Sequence, residues 1–377
     1  MPMRPMRLTT VHQRIWSRKR SATNRSPRRA STATPGRTIL RATTSTSEIA
    51  LKNHRTLLMQ PIRVIAGPTA VGKSSTAVEL AHMLQPAEIV SCDSRQIYRG
   101  MDIGTAKPSA AERQAVPHHF VDEREVTQTF SAGAFQAEAE IRLAAILDRG
   151  HVPIVAGGST LYLKALVEGI GRLPVVPAVI RKNLNHRLET EGAPALYDTL
   201  VEVDPIYAAT LDPTKTQRII RGLEVYEATG RSLSSFQSDH RPPRYAYQVF
   251  VLSRPRSDLY EAINKRVDSM MEYGLLQEVQ RFHEAGFSEH DAAFRTIGYR
   301  ELFPVLRNEY SIEHGVHLIK RNSRRYAKRQ LTWYRGMHSV TWLDVSSLTP
   351  VDVASVILGS QRRGTDDEKD DGRDDTL

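Results

Sequence analysis

The chain has 377 residues, 40% of them hydrophobic, enough for one large or two ordinary domains around a real core. Its single cysteine, Cys92, excludes a disulfide within the chain, no Cys/His cluster offers a zinc site, and no apolar run approaches the ~20 residues that cross a bilayer. The net charge of +10 is mostly a tail effect: residues 1–47 carry eleven Lys/Arg and no acid, residues 365–377 carry net −5, and residues 48–364 hold only +4, so a nucleic-acid partner has to be argued from a local patch.

Residues 1–58 are rich in Arg, Ser and Thr and lack apolar periodicity, a composition that predicts a disordered basic extension. An organellar transit peptide, a basic RNA-binding arm and an over-long reading frame all fit it. The last is favoured over organellar targeting, because Met59 stands just before the first strand. Next comes "VIAGPTAVGKSSTAVEL". It predicts a strand over 62–67, a Gly-rich loop and a helix over 73–84. The loop Gly67, Pro68, Thr69, Ala70, Val71, Gly72, Lys73 and Ser74 fits the pattern that cradles phosphates. Its glycines let successive N–H groups turn inward, and the helix adds the positive end of its dipole. Lys73 brings a full charge, and the Ser74 hydroxyl is placed to bind Mg²⁺. The loop alone fits nucleotide hydrolysis, phosphoryl transfer or the holding of a diphosphate.

Further strands are predicted over 87–93, 118–123 and 151–158, with a helix over 131–149 opened by Ser131 as N-cap. This alternation predicts an α/β fold, a P-loop NTPase-like parallel sheet flanked by helices, with ligands gathered outside the C-terminal strand ends. Two of those ends carry reactive groups. The second strand runs into "SCDSRQIYRGMDIGTAKP", which presents Asp93 to the crevice, as a metal anchor or as a proton acceptor. The fourth runs into "AGGSTLY", with two glycines and the hydroxyls of Ser159 and Thr160. From about Pro174 short helices split by Pro, Gly and Asp predict a helical insertion. A strand returns at 247–254, followed by helices over 256–285 and about 311–335. The stretch from Lys320 to Arg335 has seven basic residues, no acids and interleaved Tyr326, Trp333 and Tyr334, which suits phosphate contact and stacking on splayed bases.

The motifs "GPTAVGKSS", "DSRQIYRGMDIGTAKP", "PIVAGGSTLYLKAL", "QRIIRGLEVYEATG", "FRTIGYRE" and "AKRQLTWYR" follow one another from Ile62 to Asp344. In them the chain resembles the tRNA dimethylallyltransferases, also called tRNA isopentenyltransferases. The resemblance implies a P-loop holding dimethylallyl diphosphate rather than a nucleotide, with Mg²⁺ at Ser74 as cofactor. The implied reaction moves the dimethylallyl group to N6 of adenosine 37, beside the anticodon, in tRNAs that read codons beginning with U. By the same resemblance Asp93 is the base, Ser159 touches the transferring group, and Lys73 and Arg221 complete the catalytic set. Ser159 stands where the family usually has Thr. Arg266 is a further candidate for the diphosphate end.

The tRNA anticodon stem-loop is implied to meet Asp93, Ser94, Arg95 and Gln96, together with Arg181. On one helix it would meet Gln217, Arg218, Ile219, Ile220 and Arg221. A turn supplies Arg295, Thr296, Ile297, Gly298, Tyr299 and Arg300. The basic helix supplies Lys328, Arg329, Gln330, Leu331, Thr332, Trp333, Tyr334 and Arg335. The resulting domain expectation is a core over 59–174, a helical insertion over 175–245, core completion with the basic region over 246–350, and a tail over 351–377 that ends acidic and disordered. Without the zinc module common in eukaryotic members, a bacterial, cytoplasmic, monomeric enzyme is expected. The alternatives are a P-loop small-molecule kinase, an RNA-binding regulator, or an adenylate isopentenyltransferase, which would not need the RNA-facing motifs.

Overall fold

The computed structural model describes residues 60–360 apart from 172 and 239–241. Strands β1 (Ile62–Ala66), β2 (Ala87–Ser91), β3 (His118–His119), β4 (Val152–Ala156), β5 (Tyr247–Ser253) and β6 (Val340–Asp344) form one sheet. Their order is β3-β2-β4-β1-β5-β6, and every pairing is parallel. Val64 of β1 lies opposite Val155 of β4 and Val249 of β5. All five β1 residues are buried, which explains why the strand reads as a continuous run instead of an alternation. The two-residue period still sorts side chains to opposite faces. Val64, Val249 and Val251 enter one core with Phe135 and Leu143, while Ile65, Phe250 and Leu252 enter the other with Leu80 and Leu259.

Helices α1 (Lys73–Met83), α2 (Ala110–Ala115), α3 (Ala132–Asp148) and α4 (Thr160–Val167) belong to the first half. Ser131 caps α3 as expected, its Oγ accepting the Ala134 N–H at 3.1 Å. The insertion holds α5 (Ala178–Val203), α6 (Pro205–Ala208), α7 (Thr216–Thr229) and α8 (Leu233–Ser238). It has its own core of Leu184, Leu196, Leu200, Ile219 and Leu223. α5 is kinked at Gly192, with φ 84°, just before Pro194. The chain then returns to the sheet with α9 (Arg256–Glu272), α10 (Leu275–Glu284), α11 (Tyr299–Leu306), α12 (Ile312–Arg335) and α13 (Pro350–Gly359).

Three expectations need correction, and one strand was not foreseen. The strand over 118–123 stops at His119, because Phe120 and Asp122 take φ of 62° and 57°. Phe120 turns into the core, and Asp122 turns to receive Lys107 and Arg113. The helix over 256–285 is two helices, parted at Gly274 with φ 96°. β6 is an edge strand of half-exposed residues, so its pattern was too weak to read. The expected tail from 351 begins instead as α13, opened by a Thr349–Asp352 capping box, with Val353, Ala354 and Ile357 buried against the α1 side of the sheet. The basic extension 1–58 and the acidic run after 360 lie outside the described residues. No helix among the described residues is long and apolar enough to cross a membrane.

Candidate active site

The P-loop connects β1 to α1. Gly67 has φ 143°, and a Cβ there would sit 2.7 Å from the Leu252 carbonyl oxygen, so glycine lets the loop lie against β5. Pro68 and Val71 are buried framework, and Thr69, Ala70, Lys73 and Ser74 line a cavity of about 370 Å³. The Lys73 ammonium donates to the Pro68 carbonyl at 2.7 Å. Burial and then the neighbouring Arg266 push its pKa down to about 7, while Asp93 pulls the other way. Arg266, from α9, is itself lowered by burial and held up by Asp93. Lys73, Arg266 and Asp93 thus form one electrostatic group inside the cavity.

The ends of β2 and β4 supply the opposite wall. Asp93 Oδ1 accepts the N–H groups of Arg95 (2.8 Å) and Gln96 (3.4 Å), which fixes the carboxylate in a tight turn. Among the described residues, Oδ2 has no hydrogen bond within the chain and is free for a ligand. Ser159 Oγ accepts the Ser94 N–H at 2.8 Å and donates to Ser94 Oγ at 3.1 Å. It therefore ties the Asp93 turn to the start of α4. Gly157 makes this approach possible, since a Cβ would lie 2.1 Å from the Cys92 carbonyl oxygen.

The segment after Asp93 is held by carboxylates that the sequence reading did not single out. Glu278 of α10 is 1% exposed. It accepts the N–H groups of Asp102 (3.0 Å), Ile103 (2.9 Å) and Gly104 (3.1 Å), and the Tyr299 hydroxyl. A buried carboxylate so fully paired makes that loop rigid. Gln96 reaches the carbonyls of Thr105 and Ala106 at 3.3 and 3.1 Å. Glu301 accepts the Gly298 N–H (2.8 Å), Arg300 Nε (2.6 Å) and Asn322 Nδ2 (2.8 Å), which orients the Arg295–Arg300 turn over the cavity.

Many expected residues do converge. Ser94, Arg95, Gln96, Arg295 and Arg300 join Asp93 and the P-loop around the cavity, as do Thr296, Ile297, Gly298 and Arg329. Lys328, Arg329, Thr332 and Trp333 also line an open groove with Arg325 on α12. Arg335 is exposed at the end of that helix.

Others do not converge. Arg221 does not line the cavity; it pairs with the buried Glu224, which also receives Arg181 at 2.7 Å. Arg266 is the arginine beside Lys73. Gln217 and Arg218 are exposed on the insertion, whereas Ile219 and Ile220, at 1% each, are core residues of it. Tyr299 and Tyr334 are fully buried, and Leu331 packs on the sheet core, so these motif positions are apolar packing and not RNA-facing surface. Gln330 does line the cavity, but it is 2% exposed and its carboxamide is taken up by hydrogen bonds inside the protein. Sequence reasoning missed the apolar wall of Ile263, Val267 and Met270. Their spacing with Arg266, one helix face with a cation inside an apolar stripe, was the available signal.

The IPP transferase family model matches residues 96–337. A tRNA dimethylallyltransferase of Salinibacter ruber is 47% identical over 298 residues, covering 79% of this chain and 92% of that protein. One from Chloroherpeton thalassium is 46% identical over 290 residues, covering 75% and 90%. Among solved structures, the tRNA isopentenylpyrophosphate transferase of Bacillus halodurans is 36% identical with a TM-score of 0.59, covering 82% of this chain and 99% of its own. A eukaryotic dimethylallyltransferase acting on tRNA is 28% identical with a TM-score of 0.66, covering 81% and 77%. The family model spans more than half of the chain and these relatives match it over most of its length: the chain belongs to the IPP transferase family.

Proposed function

We propose that the protein transfers a dimethylallyl group from dimethylallyl diphosphate to N6 of adenosine 37 in tRNAs that read codons beginning with U. The observation that carries this reading is the mixed chemistry of the cavity's wall. The cations Lys73 and Arg266 and the Ser74 hydroxyl share it with the apolar Ile263, Val267, Met270 and Ile319. An allylic diphosphate joins the same two chemistries. Burying its five carbons against that wall contributes about 3 kcal/mol, and the cations take its head. A phosphoryl acceptor for a kinase gives no reason for the apolar wall, and the relatives' names do not favour a kinase.

Asp93 faces the same space. The adenine amine is a weak nucleophile because its lone pair is delocalised into the ring. As N6 bonds to the allylic carbon, the carbon–oxygen bond to diphosphate breaks and the N6 proton passes to Asp93 Oδ2. The P-loop, Lys73 and Arg266 stabilise the charge that collects on the leaving group. Ser159 keeps the Asp93 turn in place. Ser74 suits magnesium, which takes one or two protein oxygens and completes its shell with phosphate oxygens and water. No group of three His, Cys, Asp or Glu among the described residues offers a metal cage of its own. Bound there, magnesium would supply charge neutralisation at the diphosphate.

The arginines Arg295, Arg300 and Arg329 and the exposed face of α12 support an anticodon stem-loop at the open side, with the target base drawn out of its stack into the cavity. The bacterial relatives support a cytoplasmic enzyme. Asp93→Asn tests the chemistry. Single-turnover transfer should fall by roughly 10²–10⁴ with both substrate affinities nearly intact. Recovery of the rate with excess Mg²⁺ would instead make Asp93 a metal anchor.

A further inference from the structure

Gln330 of α12 is one of the few buried polar side chains, and it touches two loops at once. Its Oε1 accepts the Thr69 N–H at 2.9 Å, and its Nε2 donates to the Gly158 carbonyl at 2.7 Å. The peptide unit joining Pro68 to Thr69 is therefore held at both ends. Gln330 takes its N–H, and the Lys73 ammonium takes its carbonyl at 2.7 Å. Gly158 completes the cluster. A Cβ there would lie 2.7 Å from Gln330 Nε2, 3.4 Å from the Gly67 carbonyl and 3.5 Å from Lys73 Nζ. The P-loop, the β4–α4 loop and the basic helix thus meet at one carboxamide.

From this juxtaposition we propose that Gln330 is the positioning residue that orients the Pro68–Thr69 peptide and, through it, aims Lys73 at the diphosphate. A carboxamide does both tasks at any pH, since it offers an acceptor and a donor from one neutral planar group. An apolar substitute leaves a buried N–H and a buried carbonyl unpaired, and the peptide turns to find other partners. Lys73 then loses the carbonyl that holds it. The neighbouring Arg329 and Tyr326 still face the cavity from the same helix, so the RNA side is untouched. The inference rests on the reading of the cavity as a diphosphate site.

Two variants test it, with transfer by the wild-type chain measured alongside. Gln330→Met keeps the volume and removes both bonds. Its KM for dimethylallyl diphosphate should rise about tenfold or more, with tRNA affinity within about twofold. Gln330→Glu adds a readout that packing alone would not move. Protonated, it accepts from Thr69 and donates to Gly158; ionised, it keeps only the first bond and repels the carbonyl and the diphosphate. The ratio of its diphosphate KM to that of wild type should therefore fall as pH is lowered from 8.5 to 6, while the Gln330→Met ratio stays flat. A purely structural role would lower the melting temperature with both KM values unchanged and a flat Gln330→Glu ratio, and that result overturns the proposal. If Gln330→Met does not fold, the Gln330→Glu series decides alone. An inactive wild-type chain that binds neither substrate would contradict the function and not the clamp.

Discussion

Gly157 offers a perturbation whose size can be worked from the geometry. An alanine Cβ would lie 2.1 Å from the Cys92 carbonyl oxygen, 2.3 Å from its carbon and 2.8 Å from the Cys92 Cα. All three are backbone atoms, so no rotamer change relieves the clash. Since such contacts do not go below 3.0 Å, the ends of β2 and β4 must part by roughly 1 Å. That junction carries the bonds from Cys92 N–H to the Ala156 carbonyl (2.7 Å) and from Ser159 N–H to the Cys92 carbonyl (3.2 Å). Overpacking of this kind costs about 1–3 kcal/mol, or about 2–6 °C in melting temperature. The larger effect is on rate, because Asp93 and Ser159 ride on the displaced segments, and a 1 Å misplacement costs about 10²-fold. Single-turnover transfer by Gly157→Ala should fall by about that factor, with tRNA affinity unchanged. Gly150→Ala is the control: φ is 74° but nothing lies within 4 Å of the new Cβ. It should lose about 1–3 kcal/mol to backbone strain and keep the wild-type rate. Wild-type transfer by Gly157→Ala, or an equal loss in Gly150→Ala, would refute the reasoning.

Lys73 gives a pH dependence. Its pKa near 7 in the free chain must rise when diphosphate oxygens arrive, so binding takes up a proton and weakens as pH rises above 7. In metal-free buffers, calorimetry of dimethylallyl diphosphate binding at pH 8 should show net proton uptake, absent in Lys73→Arg; no buffer dependence in the wild type would contradict it. Arg329→Ala should weaken tRNA binding and reduce the salt slope by about one unit, with little change in rate at saturating tRNA; an equal fall in rate would place Arg329 at the chemistry.

The P-loop, the strand-end Asp93 and Ser159 were legible because local pattern dictates them: glycines at fixed spacing and apolar strands running into polar loops. The sheet's middle strands were legible for the same reason. The edge strand β6 was not, because half-exposed residues carry no clear period. Helix α13 was missed because its apolar residues adjoin an acidic, turn-rich run. The motifs also misled where function and packing share a segment. In "QRIIR", Gln217 and Arg218 face solvent while Ile219 and Ile220 form a core, and in "AKRQLTWYR" Gln330 and Tyr334 point inward beside exposed Arg329 and Arg335. Glu278 was invisible for a different reason. Its three backbone partners lie more than 170 residues away in the chain, and no local pattern records a carboxylate that closes a distant loop.

The central claim is the transfer itself, and mapping the label tests it most directly. Unmodified tRNA is incubated with the chain and dimethylallyl diphosphate labelled in the allylic group, then digested to nucleosides. Label is expected in one modified adenosine, at position 37, with diphosphate released in equal amount and no requirement for ATP. Label-free tRNA alongside steady phosphate release from ATP to a small hydroxylated acceptor would contradict it.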